Sequence, residues 1–172
     1  MTTEILELVA AGPHPVVRSL MSGRHYGSDD SWPAIPGVDA VASTADGVLV
    51  YTGGTAAPYG TCAERIPVPA GWSVPLPDGA DPTVVAAAVN PGLSSWLPLS
   101  RRIAERGTLS TVLILGATGT ADLLAVQNAR ILGAPTIIAG GRSDAGLERA
   151  RSFGANAWAA AGAADRRVVV VP

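Results

Sequence analysis

The chain has 172 residues, and 48% of them are hydrophobic, so a core can be buried and disorder is not expected. Acidic residues outnumber basic ones by 14 to 12, which excludes a general nucleic-acid or membrane-surface binder because such proteins need a basic surface. The single cysteine, Cys62, cannot close an internal disulfide, and Glu4 and Glu7 stand where a secretory signal carries positive charge. The sequence contains no run of about 20 apolar residues, the length that a helix needs to span a bilayer. A cytoplasmic protein is expected.

The first 80 residues predict a small all-β unit. Short apolar runs alternate there with turns that contain glycine and proline, a rhythm typical of short strands. Residues 15–22 are the exception and predict a helical turn closed by Gly23. The predicted strands cover residues 5–9, 38–41, 47–51, 62–68 and 72–74.

The rest of the chain predicts alternating helices and strands. A helix is predicted to start at Asp81 and Pro82, and a second, joining helix to run from about Gly92 to Arg106. Beyond it, the predicted strands are 111–115, 136–139 and 156–159, and the predicted helices are about 121–132 and 144–153. This order predicts a parallel sheet with right-handed crossovers, and the first of its strands is apolar enough to be buried on both faces.

A turn with two glycines lies directly between the first of these strands and its helix. In dinucleotide-binding units such a turn brings backbone N–H groups and the positive helix end to the pyrophosphate. Two of the three glycine positions are filled, while the third is Asp122, whose charge repels a phosphate. An ordinary strand-to-helix turn is the alternative, but the position inside a βαβ unit favours nucleotide binding. The turn consists of Gly116, Ala117, Thr118, Gly119, Thr120 and Ala121.

A second turn is predicted at Gly140, Gly141, Arg142 and Ser143. Arg142 stands where dinucleotide-binding units carry the residue that reads the ribose, and an arginine there can pair with the 2′-phosphate of NADP. Residues 101–172 also hold nine arginines against five acids, which favours an anionic ligand. Alternatively, Ser143 caps the following helix and Arg142 is solvated.

Eight short stretches, in their order and spacing, match the pattern of a known family: 9–12, 22–23, 35–39, 59–64, 76–79, 116–119, 125–127 and 132–134. By these stretches the chain resembles the medium-chain dehydrogenases/reductases, in particular their zinc-independent quinone-oxidoreductase-like branch. The resemblance implies an α/β plus β fold: a GroES-like β domain over residues 1–90, without the usual first strand, and a partial, doubly wound Rossmann domain over residues 91–172 that includes the joining helix.

The same resemblance implies that no metal is bound. His14 takes the place of a cysteine ligand of the zinc-dependent relatives, and Val38 with Asp39 takes the place of their His-Glu pair. A catalytic zinc needs three protein ligands, and this set is incomplete. Cys62 falls on a strand-like motif, so a buried structural thiol is expected.

The implied activity is hydride transfer from NADPH to a quinone or an enone. Family position suggests His14 and Tyr26 as catalytic residues, and Asn90 and Ser94 as cofactor-binding residues beside the two turns. A histidine can bond or protonate the oxygen of the acceptor. The alternatives are a loop histidine between two prolines, a packed tyrosine, and an asparagine that caps the joining helix.

The chain has about half the length of these relatives, which implies a second hypothesis: a catalytically inactive, truncated fragment that acts as a binding or assembly module. Val168 to Val171 predict an antiparallel edge strand that returns through Gly162. The first parallel strand is then left with an unpaired side, and an exposed edge pairs readily with another chain. A homodimer or other self-association through this edge is expected.

Overall fold

Two sheets of different type organise the chain in a computed structural model, which describes residues 2–28 and 33–160, without the side chains of residues 158–160. The sheets belong to two structural units, Met1–Asn90 and Pro91–Pro172. None of the helices in these ranges is long and apolar enough to cross a membrane.

The first unit is built on an antiparallel five-stranded sheet with the order β4-β1-β2-β3-β5. Alternating side chains of its strands meet in a core that includes Leu6, Val50 and Ile66. One short helix, α1 (Pro15–Met21), follows β1. The strands are β1 (Thr3–Ala11), β2 (Asp39–Ser43), β3 (Leu49–Gly53), β4 (Arg65–Pro69) and β5 (Ser73–Pro75). The predicted β unit is confirmed.

The long helix α2 (Pro82–Arg106) differs from the prediction of two helices. Its start is as expected, because the Asp81 carboxylate accepts a hydrogen bond of 2.8 Å from the Thr83 N–H, and Pro82 occupies the first helical position. The predicted break before Gly92 is wrong, since both Pro91 and Pro98 lie inside the helix. A proline has a helical φ and removes one backbone donor, and the neighbouring alanines and leucines favour helix strongly enough to continue it.

The second unit carries a parallel sheet, as predicted, and the order of its strands is β6-β7-β8. Helices α3 and α4 contribute Val126 and Leu147 to a core that also contains Ile114 and Ile137 of the sheet. The elements are β6 (Thr111–Leu115), α3 (Thr120–Ile131), β7 (Thr136–Gly141), α4 (Asp144–Phe153) and β8 (Ala157–Ala160). The predicted α/β plus β fold class is confirmed.

Two details of this unit correct the sequence-based expectations. β6 is not buried on both faces, because Leu113 and Leu115 are 44% and 58% exposed while Ile114 faces the core on the other side. Gly140 and Gly141 belong to β7, so the second turn begins only at Arg142. Gly140 does not start a turn, because it still pairs with Leu115 of the neighbouring strand β6. The predicted edge strand at 168–171 lies outside the described residues.

Candidate functional site

The turn between β6 and α3 has the backbone geometry that its sequence predicts. Gly116 has a φ of +78°, which glycine adopts without strain. The next residue, Ala117, is buried, and its N–H donates a hydrogen bond of 2.9 Å to the Gly140 carbonyl at the end of β7. The turn is therefore fixed to the carboxyl edge of the parallel sheet, where ligands of open α/β sheets bind.

Helix α3 begins without a side-chain cap. Its N-cap is Gly119, which has no side chain to accept a hydrogen bond from the first N–H groups. The next helix, α4, differs because the Ser143 hydroxyl accepts a hydrogen bond of 3.2 Å from the Gly146 N–H. The start of α3 thus offers donors and the positive end of the helix dipole to an anion, as a dinucleotide pyrophosphate requires.

Asp122 lies against this helix start. A Cβ placed on Gly119 would be 2.9 Å from the Asp122 carboxylate oxygen Oδ2, so the carboxylate leans toward the turn. A carboxylate in the first turn stabilises the helix, but it also competes with a phosphate for the same N–H groups. The turn therefore fits a pyrophosphate by its backbone, and Asp122 is the neighbouring residue that opposes it.

Arg142 lies at the end of the neighbouring strand. Because Leu115 of β6 pairs with Gly140 of β7, the glycine turn and Arg142 follow adjacent strand ends. The Arg142 side chain is exposed and has no hydrogen bond or ion pair within the described ranges. Gly140 and Gly141 are buried and have no side chains, so they can contribute only backbone groups. Ser143 caps α4, which agrees with the alternative interpretation of this segment.

The side chain of Thr118, in the middle of the turn, packs against Gly141 and Gly146. A Cβ on Gly146 would overlap the Thr118 methyl carbon, and a Cβ on Gly141 would lie 3.0 Å from it. These glycines therefore allow the turn to approach the start of α4. The amino-acid composition of the turn does not predict the contact of Thr118 with α4. The signal that could have predicted it is the pair of glycines on either side of the Ser143 cap, Gly141 and Gly146.

The two candidate residues on α2 have different surroundings. The Ser94 hydroxyl donates a hydrogen bond of 2.6 Å to the Pro91 carbonyl, and Ser94 lines a cavity of about 310 Å³ together with Asp122. Asn90 lies inside α2, so it does not cap the helix. Within the second unit, the Asn128 amide connects α3 to α2 through bonds of 3.0 Å to the Gly92 carbonyl and 2.9 Å to the Ser95 hydroxyl.

A buried polar cluster in the first unit contains His14. Its ring atom Nε2 lies 3.4 Å from Oδ1 of Asp39, and the side chains are 12% and 4% exposed. The other carboxylate oxygen of Asp39 accepts a hydrogen bond of 2.8 Å from the Tyr51 hydroxyl. Sequence reasoning did not find Tyr51, yet the register explains it: Asp39 pairs with Gly53, so Tyr51 is its diagonal neighbour on β3.

Burial dominates the electrostatics of this cluster. Desolvation raises the pKa of Asp39, and the Tyr51 hydrogen bond and the nearby His14 offset part of that rise. The pKa of Tyr51 is raised by burial and by the Asp39 carboxylate, so the phenol stays protonated and remains a donor. Burial and the Asp39 charge also raise the pKa of Cys62, which is partly buried and stays a thiol.

Tyr26 lies apart from this cluster. Its side chain is 98% exposed and its ring stacks on His25, with centroids 4.2 Å apart, so it is not a packed aromatic. A cavity of about 390 Å³ lies in the same unit, between α1 and the segments 34–38 and 54–60. Among the described residues, no three His, Cys, Asp or Glu side chains are grouped so that they could hold a metal ion.

Comparison with known proteins finds no matching family model. The chain is 37% identical over 99 residues to a protein of Emericella nidulans named as a probable NADPH-dependent quinone reductase, tdiC, and the match covers 54% of this chain and 27% of that protein. It is 27% identical to the quinone oxidoreductase of Thermus thermophilus, whose NADPH complex is also solved, with a TM-score of 0.77 over 92% of this chain and 51% of that one.

The fold recurs at lower identity. The Escherichia coli quinone oxidoreductase complexed with NADPH is 19% identical, with a TM-score of 0.71 over 91% of this chain and 49% of that one. The chain thus spans about half the length of the solved structures that it matches. Its two units have the GroES-like plus Rossmann-like architecture of these oxidoreductases. These similarities support the resemblance to the quinone-oxidoreductase-like members of the medium-chain dehydrogenases/reductases.

Proposed function

We propose that the protein is an NADPH-dependent oxidoreductase that transfers a hydride to a quinone or an enone without zinc. The observation that carries the proposal is the uncapped start of α3 beside the exposed Arg142 at the carboxyl edge of a parallel sheet. The named quinone reductases and their NADPH complexes support the same cofactor and the same class of acceptor.

The proposed cofactor site uses backbone groups for the pyrophosphate and one side chain for the ribose. The N–H groups of Gly116 to Ala121 are proposed to bind the pyrophosphate, because the turn offers donors that no side chain of the helix cap occupies. The guanidinium of Arg142 is proposed to pair with the 2′-phosphate. Gly140, Gly141 and Ser143 shape the backbone at this second position, and Asn90 and Ser94 are proposed to contact the nicotinamide half.

The proposed chemistry needs one hydride and one proton for each transfer to the acceptor. When bound, the reduced cofactor supplies the hydride. We assign the proton, or a hydrogen bond to the acceptor oxygen, to His14, and we keep Tyr26 as a second candidate on the basis of family position. Zinc is not needed in this proposal, because the His14 and Asp39 pair does not supply the three ligands of a catalytic site.

A titration of the purified chain with NADPH, followed by cofactor fluorescence and by oxidation with a panel of quinones, tests the function. We expect saturable binding that is weakened about tenfold or more by Arg142→Asp, since a charge-assisted bidentate pair is replaced by repulsion. NADH binding is expected to change little. Arg149→Asp, at an exposed position of α4, is the matched control.

Absence of binding and of NADPH oxidation would contradict the proposed function. Equal losses in the Arg142 and Arg149 variants would contradict the cofactor assignment alone.

We further propose self-association through the free edge of β6. Within the described residues this strand pairs only with β7, and Leu113 and Leu115 are exposed on its open face. An unpaired strand edge beside exposed leucines is a template for pairing with another chain.

A further inference from the structure

Two buried polar atoms of the first unit face each other without a hydrogen bond. His14 Nε2 and Asp39 Oδ1 are 3.4 Å apart, and neither has a hydrogen-bond partner within the described part of the chain. Burying such atoms unpaired is costly. A carboxylate oxygen only accepts hydrogen bonds, so a small approach of the two groups satisfies both atoms only if Nε2 carries the proton.

The position of the imidazole ring is fixed by its backbone neighbour Gly12. A Cβ on Gly12 would lie 2.9 Å from both Cε1 and Nε2 of His14 and 2.5 Å from the Ala86 carbonyl oxygen. The Nε2 edge therefore lies against the Gly12 backbone and is shielded from solvent, although the side chain as a whole keeps some exposure. Nδ1 is the remaining nitrogen through which the ring can exchange a proton with a bound molecule.

Tyr51 fixes the other half of the pair. Its hydroxyl donates to Oδ2 of Asp39 at 2.8 Å, which leaves Oδ1 directed at the imidazole. Rotation of the carboxylate would break this hydrogen bond. The backbone of Asp39 is held as well, because its carbonyl accepts a hydrogen bond of 2.8 Å from the buried Thr61 hydroxyl.

We propose that Asp39 is a positioning residue that holds His14 as the Nε2–H tautomer, so that Nδ1 is the atom that delivers a proton to the acceptor. The use of this proton rests on the proposed function, whereas the tautomer does not. When a reduced nicotinamide has given its hydride to a quinone, the quinone oxygen takes the proton from Nδ1 of the imidazolium. The ring is left neutral with its proton on Nε2, and solvent restores the proton on Nδ1.

The test is a long-range ¹H–¹⁵N spectrum of the labelled full chain under alkaline conditions, where imidazole rings are neutral. The sequence holds two histidines. His25 provides an internal reference, because its Nδ1 accepts a hydrogen bond of 3.0 Å from the Gly27 N–H and its proton must then be on Nε2. We expect His14 to show the same Nε2–H pattern in the wild-type protein.

Asp39→Asn should reverse the tautomer of His14 alone. Tyr51 would still donate to the amide oxygen, so the amide NH₂ group would face Nε2 and force that atom to accept, which moves the ring proton to Nδ1. Tyr51→Phe is the matched control, since it keeps the carboxylate and therefore the Nε2–H pattern. If the reductase activity is present, Asp39→Asn should lower kcat by about 10- to 100-fold with little change in KM for the quinone.

An Nδ1–H pattern in the wild-type protein, or an unchanged pattern in Asp39→Asn, would overturn the proposal. If Asp39→Asn does not fold, the wild-type spectrum still decides. An Nε2–H pattern in a chain that neither binds nor oxidises NADPH would overturn the proposed function and leave the positioning role of Asp39 standing.

Discussion

Asp122 is the residue at which helix stability and cofactor binding oppose each other. Its carboxylate lies beside Gly119 at the start of α3, where a phosphate is proposed to bind. Asp122→Asn removes the charge and keeps the shape, so we expect NADPH to bind about two- to fivefold tighter, the size of a charge effect at a helix end. Fluorescence titration measures this change.

The control for that variant is Asp46→Asn, which makes the same change in net charge in the exposed turn between β2 and β3. Equal gains in both variants would attribute the effect to overall charge. An unchanged affinity in Asp122→Asn would mean that this carboxylate does not oppose the cofactor.

Single residues were predictable from sequence where a local motif defines them. The glycine turn and the Ser143 cap are set by neighbours in the chain, and both lie where the sequence places them. The contact of Asp39 with Tyr51 depends on the register of two strands, which no local pattern specifies. The exposure of Tyr26 likewise depends on how its loop lies, so the alternative of a packed aromatic is wrong.

The approach of α4 to the glycine turn depends on the absence of a side chain at Gly146. Gly146→Ala would place a methyl group in steric overlap with the Thr118 methyl carbon. Overpacking of this kind costs about 1–3 kcal/mol, which outweighs the gain of up to about 1 kcal/mol from alanine in a helix. We therefore expect a net loss of stability, measured by denaturant unfolding.

Thr118→Ser removes the clashing methyl carbon but keeps the Thr118 Cβ, which would lie 2.6 Å from the methyl group that Gly146→Ala introduces. The double variant with Gly146→Ala should therefore recover only part of the lost free energy of unfolding. Gly92→Ala is the control, because its nearest contact is Leu124 at 3.9 Å and only the gain in helix propensity remains. Independent, additive effects of the two changes at Thr118 and Gly146 would refute this contact.

Elements with a strong hydrophobic period were predictable, and their ends were less so. The bounds of β6 and α4 agree with the sequence, since apolar runs and caps mark both ends of each. Prolines and glycines misled the prediction at two places. Pro91 did not end a helix and Gly140 did not start a turn, because hydrogen bonds of the surrounding helix and sheet outweigh one missing donor or one flexible residue.

At the scale of the whole molecule, the open side of β6 is proposed to determine how copies of the chain meet. We expect concentration-dependent self-association in sedimentation velocity experiments. Leu113→Lys should weaken it several-fold, because a charge on an edge strand disfavours pairing. Ile131→Lys, an equally polar change at an exposed position of α3, should leave it unchanged. A monomer at all concentrations would rule out the β6 interface.

The fold class was predictable at this scale because the spacing of hydrophobic residues differs between the two units. Strand-length runs with frequent turns indicated the β unit, and alternating strands and helices indicated the parallel sheet. Burial of β6 was overestimated for a reason that the period cannot reveal. An apolar strand has the same sequence pattern whether one of its faces is covered or both, and Leu113 and Leu115 are left exposed.

Because α3 begins without a side-chain cap, hydrogen exchange in its first turn should show whether an anion is bound there. The amide protons of Thr120, Ala121 and Asp122 lie in this first turn, and that of Asp122 lacks the side-chain acceptor that Ser143 gives to the Gly146 N–H of α4, so they should exchange with deuterium readily in the free protein. An anion seated there would slow their exchange. Gly119 leaves room for a ligand, and for the same reason it leaves the first turn of α3 without a stabilising cap in the free protein.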